Sequence, residues 1–178
     1  EPLRLADLVG APTTWVLSNH DVIRHASRYG FPPEKTFGEG LTRQEIPDAQ
    51  LGMRRARAAT LLMLALPGSA YLYQGEELGL PEVIEIPDEL REDPRHRRGG
   101  VPGRDGCRVP LPWEKDAPAF GFSPTGASWL PQPEQFGPLA ADQQRGVEGS
   151  MLELYRRALR LRRELRLGEH GEGPGVVF

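Results

Sequence analysis

Two short apolar runs each break off in a polar cluster, and each is followed by a helical stretch. Trp15-Val16-Leu17 joins an aromatic to a β-branched residue, which favours a buried strand, and it ends at once in Ser18-Asn19-His20-Asp21. Ser69–Gln74 repeats the pattern and runs straight into Gln74-Gly75-Glu76-Glu77. Between them, Leu51, Ala58, Leu61, Leu62 and Ala65 recur at helical spacing over Asp48–Leu66, with Asp48 as a candidate N-cap and Pro67-Gly68 as the stop. After the second run, Met151, Leu154, Tyr155, Ala158, Leu161 and Leu165 line one face of a helix over Gly149–Leu165. Arg156, Arg157, Arg160 and Arg163 cover much of its other side. Leu3–Val9 reads as the close of a preceding helix. Strand, polar loop, helix, twice over, makes two β/α units, and such units build parallel sheets with helices on their faces. Two strands alone cannot bury both faces of a parallel sheet. In a (β/α)8 barrel the functional residues sit just past the C-terminal ends of the strands, where both polar clusters fall. The predicted fold class is therefore α/β, a partial (β/α)8 TIM barrel amounting to a quarter of the whole.

Composition sharpens this picture. The chain has 178 residues, with 21 glycines and 18 prolines. That is about 22 % of the chain, against roughly 12 % in average usage. Eleven of the prolines fall in one irregular region, Leu80–Pro138, and a loop of that length inside a compact domain is usually functional. A second loop, Tyr29–Pro47, carries Gly30, Pro32-Pro33, Gly38 and Gly40. Twenty arginines against two lysines suit GC-rich codons, and a net charge of −3 argues against nucleic-acid binding on a basic surface. One cysteine, Cys107, leaves no internal disulfide and suits a reducing cytoplasm, the expected location. No apolar run is long enough to span a membrane, and Glu1–Gly10 has no signal-peptide core. The chain starts at Glu1 without methionine and ends in the apolar Val176-Val177-Phe178, so we expect a fragment. Residues 1–166 would belong to the barrel, and 167–178 would begin a linker or strand leading to a C-terminal β-domain.

Three segments carry a resemblance. Trp15–Asp21 with Val22–Gly30 resembles the stretch after the seventh barrel strand of the alpha-amylase superfamily, glycoside hydrolase family 13. Leu66–Leu80 resembles its eighth strand and following turn, which makes this chain look like the last two β/α units. Gly103–Trp113 (GRDGCRVPLPW) is similar to a segment of its alpha-glucosidase and oligo-1,6-glucosidase branch. Beyond residue 140 or so the match is only generic helix. The resemblance implies a retaining mechanism, with an aspartate nucleophile and a glutamate acid/base roughly 5–5.5 Å apart, both lying upstream of this chain. It implies that Asp21 is the transition-state stabiliser, that His20 donates to the same sugar, that Arg104 helps close the −1 subsite, and that Asn19 supports the loop. These residue types suit a sugar pocket, since each unpaired buried polar group costs about 1–3 kcal/mol. Asp21 stays ionised only if basic neighbours offset its desolvation, and Arg104 is the natural candidate.

Plainer readings stand beside these. Ser18–Asp21 is also a turn-forming sequence. Arg104 has Asp105 as a possible surface ion-pair partner. Arg24 and Arg28 either anchor the loop or touch sugar. Gln74–Glu77 offers a candidate catalytic carboxylate, but the resemblance makes it a structural turn that holds the last strand end. Arg91–Gly100 is densely basic and either shapes the pocket entrance or is simply solvated, and the Gly30–Pro47 loop is a second candidate wall. His20, His25 and Asp21 fit no usual metal spacing, and no cofactor is expected. Nothing around Cys107 suggests a nucleophile.

The expected parent is an alpha-glucosidase releasing terminal glucose from maltose- or isomaltose-like oligosaccharides. A transglycosylase or isomerase forming sucrose or trehalose, and a non-catalytic barrel of the same superfamily, are the alternatives. The fragment itself, with open strand edges and no nucleophile, is expected to self-associate and to be inactive.

Overall fold

A computed structural model describes residues 12–168. Leu3–Val9 and Val176–Phe178 lie outside these residues, as does nearly all of the expected 167–178 segment. Strand β1 (Thr14–Val16) pairs in parallel with β2 (Ser69–Tyr71), Thr14 opposite Ser69 and Val16 opposite Tyr71. Both strands are shorter than the apolar runs suggest, because Leu17 and Leu72–Gln74 already belong to the loops beyond the sheet. Among the described residues these two make the whole sheet. The crossover between them runs through α1 (His25–Arg28) and α2 (Ala49–Ala65). A parallel pair requires such a return path outside the sheet.

Local chemistry sets the bounds of α2. The Asp48 side chain accepts from the Leu51 N–H at 2.9 Å. At the other end Gly68, at φ +100°, turns the chain onto Thr13, whose carbonyl lies 2.3 Å from where a Cβ would sit. The buried face of α2 is not the leucine face suggested by the spacing. Gly52, Ala56, Thr60, Met63 and Leu64 are buried, whereas Ala58 is exposed and Leu61 and Leu62 are 49 % and 60 % exposed. Small residues were chosen by closeness: α2 lies so tightly on α1 that a Cβ at Gly52 would meet the Ala26 carbonyl at 2.1 Å.

The final helix, α5 (Met151–Glu164), is capped by Ser150, whose Oγ accepts from the Glu153 N–H. Met151, Tyr155 and Ala158 are buried against α2 and the strands, while Leu161 and Leu165 at the far end of the same stripe are exposed. Arg162 leaves its helix to donate to the Leu64 and Leu66 carbonyls (2.7 and 2.6 Å) and to that of Gly68. It thereby satisfies the unpaired acceptors at the end of α2.

The proline-rich region is ordered around a core of its own. Leu78, Leu80, Val83, Ile86, Val109, Leu111, Leu130, Phe136 and Ala141 pack together. The segment carries one short helix, α3 (Pro94–Gly99), and a second, α4 (Ala141–Gln144), follows it. Gln144 ties it to the rest, donating to the Leu78 and Leu139 carbonyls and accepting from the Leu152 N–H. No helix is long and apolar enough to cross a membrane among the described residues. Because the α1–α2 contact has no room for a methyl group, Gly52→Ala should lower unfolding free energy by about 2–3 kcal/mol, read as a shifted urea midpoint at unchanged slope.

Candidate functional site

Beyond β1 the chain turns sharply. The Ser18 hydroxyl is buried, accepts from the His25 N–H (3.0 Å) and lies 2.8 Å from His25 Nδ1. Asn19 Oδ1 accepts from the Asp21 N–H at 2.8 Å, a side-chain-closed turn that supports the loop. The result is an Asp21 carboxylate that projects outward, 49 % exposed.

Arg104 meets it there. Its Nη1 donates to Asp21 Oδ1 at 2.6 Å, and Arg108 Nη2 reaches the same oxygen at 3.1 Å. His20 Nε2 stands 3.4 Å from Oδ2. The three residues singled out by sequence, Asp21, His20 and Arg104, therefore converge although 83 positions separate Asp21 from Arg104. The hydrogen bond from Arg104 holds the Asp21 carboxyl below its usual range, and His20, Arg104 and Arg108 add electrostatic attraction. Half exposed, this pair adds little to stability, and its consequence is an aspartate that stays ionised.

Arg104 does not pair with Asp105. Its other edge lies on Asp93, with Nε to Oδ2 at 2.7 Å and Nη2 to Oδ1 at 3.2 Å. Asp105 is buried and accepts instead from the Glu92 and Asp93 N–H groups, both at 3.0 Å. The basic stretch 91–100 is divided: Arg95, Arg97 and Arg98 are exposed, whereas Arg91 and Asp93 are not. Arg91 is buried, donating to the Pro102 and Ile84 carbonyls, and Asp93 caps α3 from its N-terminus.

A cavity of about 200 Å³ opens beside these groups. Asp21, Arg104 and Glu82 line it, and Phe37, Gly38 and Gly40 bring the 30–47 loop in as a wall. Glu82 is buried, accepts from the Arg24 N–H at 2.9 Å, and is pushed up to about 7 by desolvation. The volume falls short of the roughly 300–1,000 Å³ usual for small-molecule sites.

Arg24 is buried and anchors the loop, donating to the Gln74 and Cys107 carbonyls; Arg28 donates to those of Ile23 and Leu17 and also lines the cavity. Cys107 lies beneath the loop, where burial pushes its thiol up to about 12. His25 faces the interior while His20 faces solvent, and no group of three or more metal-ligating side chains is assembled among the described residues. At Gln74–Glu77, Glu77 accepts from the Gly75 N–H at 2.7 Å and closes a turn. Glu76 points inward, accepting from the Tyr155 hydroxyl at 3.1 Å, with His25 Nδ1 3.8 Å from its other oxygen. Burial raises Glu76 to about 7 and lowers His25 to about 4.

The reading by sequence missed Asp93, Arg108 and Glu82. Arg108 stands in the same GRDGCRVPLPW segment as Arg104. Asp93 had a signal too, an acid before Pro94 at a helix start, hidden by counting the stretch as basic.

With this geometry in view, comparison with known proteins is decisive. A family described as "Alpha amylase, catalytic domain" matches residues 9–171. The chain belongs to the alpha-amylase catalytic-domain family, glycoside hydrolase family 13. It is 36 % identical over 151 residues to a probable alpha-glucosidase of Rhizobium meliloti, covering 84 % of this chain and 24 % of that one. Maltase A1 of Drosophila melanogaster is 30 % identical over 161 residues, covering 87 % and 24 %. Among solved structures, the alpha-glucosyl transfer enzyme XgtA matches 98 % of this chain and 32 % of its own, at 30 % identity and a TM-score of 0.71. The chain thus spans about a quarter of the length of the curated relatives it matches. Its neighbours are (β/α)8-barrel enzymes, so the two parallel strands belong to that fold.

The buried Glu76 makes a pH-dependent prediction for this family member. Its folded value, about 7, lies above the 4.5 of an unperturbed glutamate, so the folded state keeps a proton that the unfolded state releases. The contribution of Glu76 to stability therefore falls as pH rises from about 4.5 through 7, by up to about 3 kcal/mol. Glu76→Gln removes this loss while keeping an acceptor for Tyr155. Urea unfolding should show the variant gaining on wild type by that order between pH 4.5 and pH 8.

Proposed function

We propose that this chain forms the last two β/α units of the catalytic barrel of a retaining alpha-glucosidase acting on maltose- or isomaltose-like oligosaccharides. The observation that carries this reading is the ionised Asp21, held by Arg104 beside an open cavity at the C-terminal end of two parallel strands. In this role Asp21 accepts hydrogen bonds from hydroxyls of the terminal glucose, and these strengthen as positive charge develops on the sugar ring. His20 donates to the same sugar, and Arg104 closes the subsite. The aspartate nucleophile and glutamate acid/base come from other β/α units. The incomplete cavity agrees with a site whose remaining walls are supplied there.

A second reading has support of its own. The solved relative at 30 % identity is named for alpha-glucosyl transfer, and a trehalose synthase/amylase of Mycobacterium tuberculosis is 30 % identical over 142 residues. Transfer to a sugar acceptor uses the same first half-reaction as hydrolysis and differs in what attacks the intermediate.

In the full-length polypeptide, Asp21→Asn should reduce kcat/KM for glucose release from maltose or isomaltose about 10³-fold, some 4 kcal/mol of transition-state stabilisation. A variant with wild-type rates contradicts the site assignment, and a parent that makes disaccharides instead of glucose favours the transferase. The 178-residue chain alone should hydrolyse neither sugar. Its strands have no further partner among the described residues, and Val16, Tyr71 and Leu72 are exposed beside them. Light scattering should therefore report self-association, whereas a monodisperse monomer contradicts that expectation.

A further inference from the structure

We propose that Asp93 is the positioning residue for Arg104, fixing which edge of the guanidinium is left for Asp21 and the sugar. The inference rests on the sugar-site reading above and deepens it. Asp21 and Asp93 share one arginine on unequal terms. The Asp93 side chain has no exposed surface, whereas that of Asp21 is half exposed. Asp93 accepts from the Arg104 N–H (2.8 Å), from Arg104 Nε (2.7 Å) and Nη2 (3.2 Å), and from the Arg95 N–H (3.0 Å). It is in turn held from behind, since its own N–H donates to the buried Asp105. Gly103 brings the backbone so close that a Cβ there would sit 3.0 Å from Asp93 Cβ.

Two parallel N–H bonds from one edge of a guanidinium fix its plane as well as its position. With Nε and Nη2 committed to Asp93, Nη1 is the atom left to reach Asp21, and it binds Oδ1 alone. Asp21 Oδ2 is then left to His20 and to incoming hydroxyls. Deprived of Asp93, the same fork is free to close on both oxygens of Asp21 and occupy the acceptor the sugar needs. Asp93 is buried and touches no ligand; it acts through Arg104.

The test uses Asp93→Asn, Arg104→Ala and the double variant in the full-length polypeptide, with maltose and isomaltose as substrates. Asn caps a helix as well as Asp does, so α3 keeps its N-terminus while the charge and the second carboxylate oxygen are lost. Asp93→Asn should lower kcat/KM by between about 10- and 100-fold, as expected for a misplaced binding group. The double variant should be no worse than Arg104→Ala alone, because a residue acting through Arg104 has nothing left to position. A double variant that loses the Asp93 factor again shows an independent structural role and overturns the proposal. So does Asp93→Asn at wild-type rates beside an impaired Arg104→Ala, a result that leaves the sugar-site reading standing. Arg104→Ala at wild-type rates overturns both. Should Asp93→Asn fail to fold, proton exchange at Arg104 Nε in the wild-type protein decides: slower exchange than at the exposed arginines supports the anchor, and equally fast exchange overturns it.

Discussion

The parallel pairing of two three-residue strands is the constraint from which the rest of this structure follows. Because β1 and β2 run the same way, their C-terminal ends lie at the same end of the sheet. Ser18–Asp21 and Gln74–Glu77 therefore emerge side by side, although more than fifty residues separate them. The return path must cross outside the sheet, which places α2 against one face of it; α5, which follows β2, packs into the same cluster with Trp15 and Ala70. The tight contacts at Gly52 and Gly68 are where this geometry leaves no space for a side chain.

The same end of the sheet holds two electrostatic layers of opposite character. Beneath the loops, burial pushes Glu76 towards its neutral acid and His25 towards neutral imidazole, so Ser18, His25, Glu76, Tyr155 and Thr60 form a polar layer with little net charge. Above it, Arg104 and Arg108 keep Asp21 ionised at the cavity. Charged groups are tolerated where they are wet or paired, and neutral forms are favoured where they are neither. The outcome is a fixed negative charge at the cavity mouth above a largely neutral polar layer.

Much of this was legible in the sequence. The two β/α units and the Asp48 cap could be read from apolar runs and turn signals, because strand ends and caps are local events; the grouping of Asp21, His20 and Arg104, 83 positions apart at its widest, came from the resemblance to the alpha-amylase superfamily. The buried face of α2 could not. Hydrophobicity pointed to Leu61 and Leu62, while closeness to α1 selected Gly52 and Ala56, a matter of tertiary distance that periodicity does not encode. The order within Leu80–Pro138 was hidden similarly, since its core joins residues from Leu78 to Ala141 without regular spacing. Asp93 escaped because a lone acid among arginines is counted as minority charge, while its burial under Arg104 depends on a turn at Gly103.

The most direct test of this account is a crystal structure of the full-length polypeptide with a glucose-shaped inhibitor bound. The sugar ring should lie at the mouth of the cavity, with Asp21 and His20 within about 3 Å of its hydroxyls and Arg104 still resting on Asp93. A sugar bound away from the C-terminal ends of β1 and β2, with Asp21 touching none of its hydroxyls, would contradict it.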